Sequence, residues 1–243
     1  MFLRFRIPQI NFFYTFEHLK RRFYKSNVLK NVFKNVLKFI IERMKFISIG
    51  CNCDVTFFIK KNFNSESYPF DWIWSNIDFI INTFERDYFE FTECEKLNPV
   101  WEPPNKHTYI FNNKCKGDNE RICSAVSVHD ADFQTQNQYI SNIPLINEKY
   151  TRRFKRLYEE LNKDKEIILI RKVLPKTEGA VKKSFDTTEK INYLSELLSK
   201  KFKAKISICI VDNEGHINKN NISNNIKLFN SFNELLLFIK TAF

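Results

Sequence analysis

Glycine is scarce in this chain, with four residues in 243. Neither G-x-G-x-x-G nor G-x-x-x-x-G-K-[S/T] occurs, so the two familiar glycine loops that cradle phosphates are excluded. Six cysteines are present, but the paired C-x2-C spacing of structural zinc sites is missing. Cys51, Cys53, Cys123 and His129 are the one conceivable ligand set, and no metal or cofactor is expected. The opening residues lack an uninterrupted apolar h-region and a small-residue cleavage site, so no secretory signal is read there. Reduced thiols in a cytoplasmic compartment, including the cytoplasm of a host if the chain is viral, are therefore expected rather than a disulfide framework. No internal repeat is found.

Acidic residues are what the N-terminus lacks. Residues 1–43 carry ten Lys/Arg and two Glu, a charge of +8, whereas the remainder carries 29 Lys/Arg and 26 Asp/Glu, a charge of +3. A body so nearly balanced argues against nucleic-acid binding, which would need a basic face of the body's own, and a specific nucleic-acid partner is not expected. The cluster Arg152, Arg153, Lys155 and Arg156 reads as the solvated face of a helix. Within the basic segment, Val28–Ile41 has helical periodicity, with Lys30, Lys34 and Lys38 along one face. Charges recur too often for it to span a membrane. Residues 28–41 suit peripheral contact with an anionic membrane surface or a protein partner, or packing on the body with the lysines in water. Residues 1–43 are read as an extension, and 44–243 as the folded domain.

Apolar residues make up 43% of the chain and aromatics 16%, a composition for a folded core rather than disorder. From Met44 onward strand and helix patterns alternate. Apolar runs at Phe46–Ile49, Thr108–Phe111, Ala125–Val128, Ile167–Ile170, Ile206–Val211 and Ile226–Phe229 read as strands. Val55–Lys61, Ile77–Arg86, Asn147–Leu161, Thr188–Phe202 and Phe232–Thr241 read as helices. The pattern predicts an α/β fold, a mainly parallel sheet with helices on both faces and Phe46–Ile49 as an interior strand. Cys209 falls inside a strand and reads as a small buried hydrophobe.

The run Lys45–Phe57, KFISIGCNCDVTF, puts Cys51 and Cys53 in a turn between a strand and a helix. A thiol at a helix start meets unpaired backbone N–H groups and the positive end of the helix dipole, which favour a thiolate. The same two residues also serve as small fillers of a tight turn. In parallel sheets ligands bind beyond the carboxyl ends of strands. His129 and Asp130, Arg171 and Lys172, and Asp212 all follow predicted strands. If those strands are parallel, a thiol, an imidazole, a guanidinium and a carboxylate share one rim. Nucleophilic thiol chemistry uses such an imidazole as its base, and Arg171 suits an anionic substrate group. In YPFDWIWS, Asp71 among aromatics is expected to be buried and hydrogen-bonded. It would orient His129, line the pocket with Trp72 and Trp74, or cap the helix near Ile77 and lock a loop.

Ser48-Ile49-Gly50-x-x-Cys53, Pro69-Phe70-Asp71-Trp72, His129-Asp130 and the late Arg171 together resemble a family of uncharacterised papain-like cysteine peptidases, over roughly residues 44–213. The resemblance implies Cys53 as nucleophile and His129 as base. Asp212 becomes the third member if the order of papain-like enzymes holds. It also implies a cysteine helix packed on an antiparallel sheet, whereas the local alternation predicts a strand leading into the cysteine turn of a parallel one. Two functions follow. One is a thiol hydrolase acting on a peptide, isopeptide or ester bond in a peptide or small-molecule substrate. The other is a noncatalytic ligand-binding or transferase-like module holding an anionic or sugar ligand through Arg171, Lys172 and Asp212. A noncatalytic interaction protein tethered by the basic segment is a third, weaker reading.

Overall fold

Strands β1 (Lys45–Ser48), β5 (Glu166–Lys172), β6 (Lys205–Val211) and β7 (Ile226–Phe229) form a four-stranded sheet in the order β1-β5-β6-β7. Every pair in it is parallel. The computed structural model describes residues 44–51, 53–63, 65–87, 109–114, 122–127, 136–173 and 186–242, and over 109–114, 122–127 and 136–143 it is the backbone that is described. The basic segment at residues 28–41 lies outside them. Residues Met44–Leu235 make one compact unit.

The sheet is covered on both faces, which is why its strands read as near-continuous apolar runs. Parallel register puts Ile47, Leu169 and Ile208 in line on one face. With Ile167, Ile206 and Ile210 they pack against helices α2 (Ile77–Arg86), α3 (Gln136–Leu161) and α4 (Thr188–Lys201), through Ile80, Phe84, Phe154, Leu157, Leu194 and Leu198. On the other face lies helix α1 (Cys53–Phe63), where Phe63 stacks on Phe46 of β1 with centroids 3.9 Å apart. Phe58 of α1 stacks in turn on Phe232, the first residue of α5 (Phe232–Ala242). Cys209, 1% exposed, fills the core of β6 as expected. Asn76 caps α2, its Oδ1 accepting from the Phe79 N–H at 2.9 Å. Among the described residues no helix is long and apolar enough to cross a membrane.

Three features depart from the sequence reading. Among the described residues β1 is an edge strand, paired with β5 alone, not an interior one. Second, β4 (Ile122–Ser127) is not in the parallel sheet. It pairs antiparallel with β3 (Tyr109–Lys114) and with the short β2 (Ile73–Ser75) in a separate sheet ordered β2-β4-β3. The physical reason is the spacing: β3 ends at Lys114 and β4 begins at Ile122, too short a link for the crossover of about a dozen or more residues that parallel neighbours need. Third, α3 begins at Gln136, eleven residues before the expected start, and carries Pro144 within it. A proline there removes one hydrogen bond without ending the helix. Of the basic cluster on α3, Arg156 reaches across to the Ser67 carbonyl at 2.7 Å, while Arg152 pairs with Glu148 on its own helix.

Candidate active site

The cysteine turn is built from two consecutive residues in the left-handed region. Gly50 has φ +79° and Cys51 has φ +89°. Glycine is required at the first: a Cβ there would lie 2.1 Å from the Ser75 hydroxyl oxygen. Cys51 has no such exemption, and a left-handed non-glycine residue persists where its surroundings over-determine it. Ser75 supplies much of that. Its Oγ accepts from the Cys51 N–H at 3.4 Å, and its own N–H donates to the Cys51 carbonyl at 3.3 Å. The turn delivers Cys53 as the first residue of α1.

Arg171 supplies the rest. Its guanidinium has no exposed surface. Nε and Nη2 donate to the two oxygens of Asp186 at 2.7 and 2.8 Å, a bidentate pair. Nη1 donates to the Ile49 carbonyl and Nη2 to the Ser75 carbonyl, both at 3.0 Å. Burial pushes the Arg171 pKa down, but the charge and hydrogen bonds of Asp186 outweigh it and the pKa ends raised. The arginine expected on a cleft wall is thus consumed inside the protein. Next to it, Lys172 ties the end of β5 to the start of α1 through Asp54, at 2.6 Å.

The two cysteines of the turn differ sharply. Cys51 is fully buried, and burial pushes its thiol from 9.0 up to about 12, with the Arg171 charge pulling back only part of the way. Cys53 is half-buried and stands in the first turn of α1, where helix N–H groups favour an anion. Neither is in a disulfide.

Pro69-Phe70-Asp71-Trp72 forms a turn that docks on α1. The Asp71 N–H donates to the Tyr68 carbonyl at 3.2 Å, and Asp71 Oδ2 accepts from the Tyr68 N–H at 3.1 Å. Asp71 thus closes its own loop, and the cap near Ile77 is Asn76. Phe70 is buried against Phe84 and Phe154. Trp72, at φ +66°, donates its N–H to Thr56 Oγ1 at 3.2 Å and meets the ring of Phe57 edge-on at 4.7 Å. Trp72 therefore stands against α1 one turn from Cys53.

Asp71 carries a pH signature. Burial raises its pKa above the ordinary 3.8, opposed by the Tyr68 N–H and by Lys60, whose Nζ is 3.7 Å away. A carboxyl with a raised folded pKa holds more protons in the folded state, so its contribution to stability falls as pH rises. Wild type should lose stability relative to Asp71→Asn as pH climbs from about 4 through the raised value. Urea midpoints of both proteins between acid and neutral pH check this. The opposite slope would mean that the Lys60 pair dominates.

Asp212 is tied into the loop that follows its own strand. Its two oxygens accept from the N–H groups of Gly215 and Ile217 at 2.9 and 2.8 Å, and β5 lies between its strand and β1. Its carboxylate shapes the loop after β6. His129 and Asp130 lie outside the described residues, and the shared-rim argument for them lapses because β4 belongs to the other sheet. Sequence reasoning missed Asp186 and Ser75. Asp186 stands directly before Thr187, the cap of α4, and reads there as one more polar residue at a helix start.

Fold and site together define an α/β protein with a partly exposed thiol at the start of the helix that follows the first strand. The chain belongs to the family described as "putative papain-like cysteine peptidase (DUF1796)", which matches residues 44–214. No curated protein and no solved structure matches it. The cysteine helix rests on the parallel sheet, as the local alternation predicts and unlike the antiparallel packing that the resemblance implies.

Proposed function

We propose that the chain is a thiol hydrolase in which Cys53 is the nucleophile and His129 the general base, acting on a peptide, isopeptide or ester bond. The observation that carries this is the contrast within one turn: Cys51 buried and held neutral, Cys53 half-exposed at a helix start. Strand β4 supports the histidine. Its last residue, Ser127, is in register with Ile73, which follows Trp72, the residue standing against α1. His129 is two residues beyond Ser127, a reach of up to about 7 Å. The binding-module reading loses ground, because Arg171, Lys172 and Asp212 are all engaged within the chain.

In this reading the imidazole takes the Cys53 proton and the thiolate adds to the carbonyl carbon. The tetrahedral adduct collapses as the leaving amine or alkoxide takes the proton from the imidazolium. Water, deprotonated by the same imidazole, then cleaves the thioester and releases the acid. The reading is a dyad, with no carboxylate assigned to it.

The test is labelling of the full chain with a thiol-reactive acyl electrophile, followed by mapping of the modified residue. Cys53→Ser should abolish rapid labelling, and Cys51→Ser should leave Cys53 as the labelled site. His129→Ala should slow labelling by roughly 10²-fold or more at neutral pH. If Cys51 is the labelled residue, or if neither thiol reacts faster than a free thiol in solution, the hydrolase reading fails.

A further inference from the structure

The guanidinium of Arg171 binds the last carbonyl before the left-handed pair Gly50–Cys51 and the carbonyl of Ser75, the residue that brackets Cys51. Both contacts come from a group that is fully buried and itself fixed by a carboxylate with no exposed side-chain surface. A buried ion pair is a weak source of net stability, since desolvation offsets most of its attraction. Its attested use is to select one conformation. Here the conformation that needs selecting is evident: a non-glycine residue at φ +89°, which relaxes unless held.

We propose that Arg171 and Asp186 are positioning residues for Cys53. They lock the left-handed turn at Gly50–Cys51, and the lock sets where α1 starts and which of the two thiols faces solvent. Loss of the lock lets Cys51 leave the left-handed region, and the first turn of α1 moves with it. Cys51 then gains access to solvent while Cys53 loses its place at the helix start. The proposal rests on the reading of Cys53 as nucleophile for its significance, but its test does not use catalysis.

The test is iodoacetamide labelling of the folded full chain, quantified residue by residue, with Cys209 as an internal reporter. Cys209 is as buried as Cys51 but lies within β6, two strands away from β1 in the sheet, so it reports opening of the sheet rather than release of the turn. Asp186→Asn should speed labelling of Cys51 about tenfold or more, and slow that of Cys53 by a similar factor, with Cys209 unchanged. Ser75→Ala, a milder change that removes only the hydroxyl bonded to the Cys51 N–H, should shift the same ratio a few-fold in the same direction. It keeps the test alive if Asp186→Asn does not fold. Asp186→Glu, which restores the charge, should recover part of the wild-type ratio. Leu194→Ala, a core truncation on α4, should raise Cys51 and Cys209 together. The proposal is overturned if Cys51 stays protected in both turn variants, or if it opens only in step with Cys209. Failure of acyl-electrophile labelling in the wild type would sink the hydrolase reading and leave this result standing.

Discussion

Arg171→Met should cost roughly 3–5 kcal/mol of folding stability, among the largest losses available to a single substitution here. The methionine fills most of the space but leaves the Asp186 carboxylate buried with no cation beside it. It also strands the carbonyls of Ile49 and Ser75, which accept from the guanidinium now. Replacing both partners, Arg171→Met with Asp186→Leu, should recover much of the loss, because the uncompensated charge is gone. Recovery should fall short of wild type by about 1–3 kcal/mol per stranded carbonyl that finds no water. Denaturant midpoints of the two singles and the double measure the cycle. A loss in Arg171→Met no larger than that of an exposed ion pair, up to about 1 kcal/mol, would contradict the burial and saturation described above.

Gly50→Ala should be of similar severity for a different reason. Alanine at φ +79° is strained by about 1–2 kcal/mol wherever it sits. Here its Cβ also meets Ser75 Oγ at 2.1 Å. Rotating the serine hydroxyl away relieves the overlap only by breaking its bond to the Cys51 N–H. The strand that carries Ser75 is held by β4 and by the Arg171 contact, so the backbone has little room to retreat. A total loss of roughly 3 kcal/mol follows from strain plus overpacking. Adding Ser75→Ala should return the clash component and not the torsional one. If Gly50→Ala melts within about a degree or two of wild type, the turn is not built as described.

What could be read in advance divides along physical lines. Helix α2 and strand β7 sit at their expected bounds, Ile77–Arg86 and Ile226–Phe229, because the spacing of their apolar residues is a local signal. The apolar runs of β5 and β6 announced burial on both faces for the same reason. Strand order is not local, so nothing in Phe46–Ile49 tells an edge strand of a covered sheet from an interior one. Arg171 misled in an instructive way. A cation at the end of a parallel strand reads as a ligand group on the rim, and only its partner decides otherwise. That partner, Asp186, is fifteen residues on and just before a helix cap, where an acidic residue draws no notice. The aspartate in Pro-Phe-Asp-Trp was legible as buried and hydrogen-bonded. Its bond closes the Tyr68–Asp71 turn rather than capping α2.

The contact between Arg171 and the Ile49 carbonyl joins residues 122 apart in the chain. Parallel pairing of β1 with β5 closes the same loop. Contacts so distant in sequence form slowly, because the chain loses the entropy of the whole intervening loop before the pairing rewards it. During synthesis the strand bearing Ser48 emerges long before the strand that receives it. Ser75 follows the thiol turn by only 24 residues, but the Arg171–Asp186 lock on that turn is absent until residues through Asp186 have left the ribosome. For that interval neither β5 nor the buried guanidinium is there to fix the turn that separates Cys51 from Cys53. Burial of one and display of the other come only with late-stage assembly, so a truncated product ending before Arg171 would carry both cysteines and neither of their distinct environments.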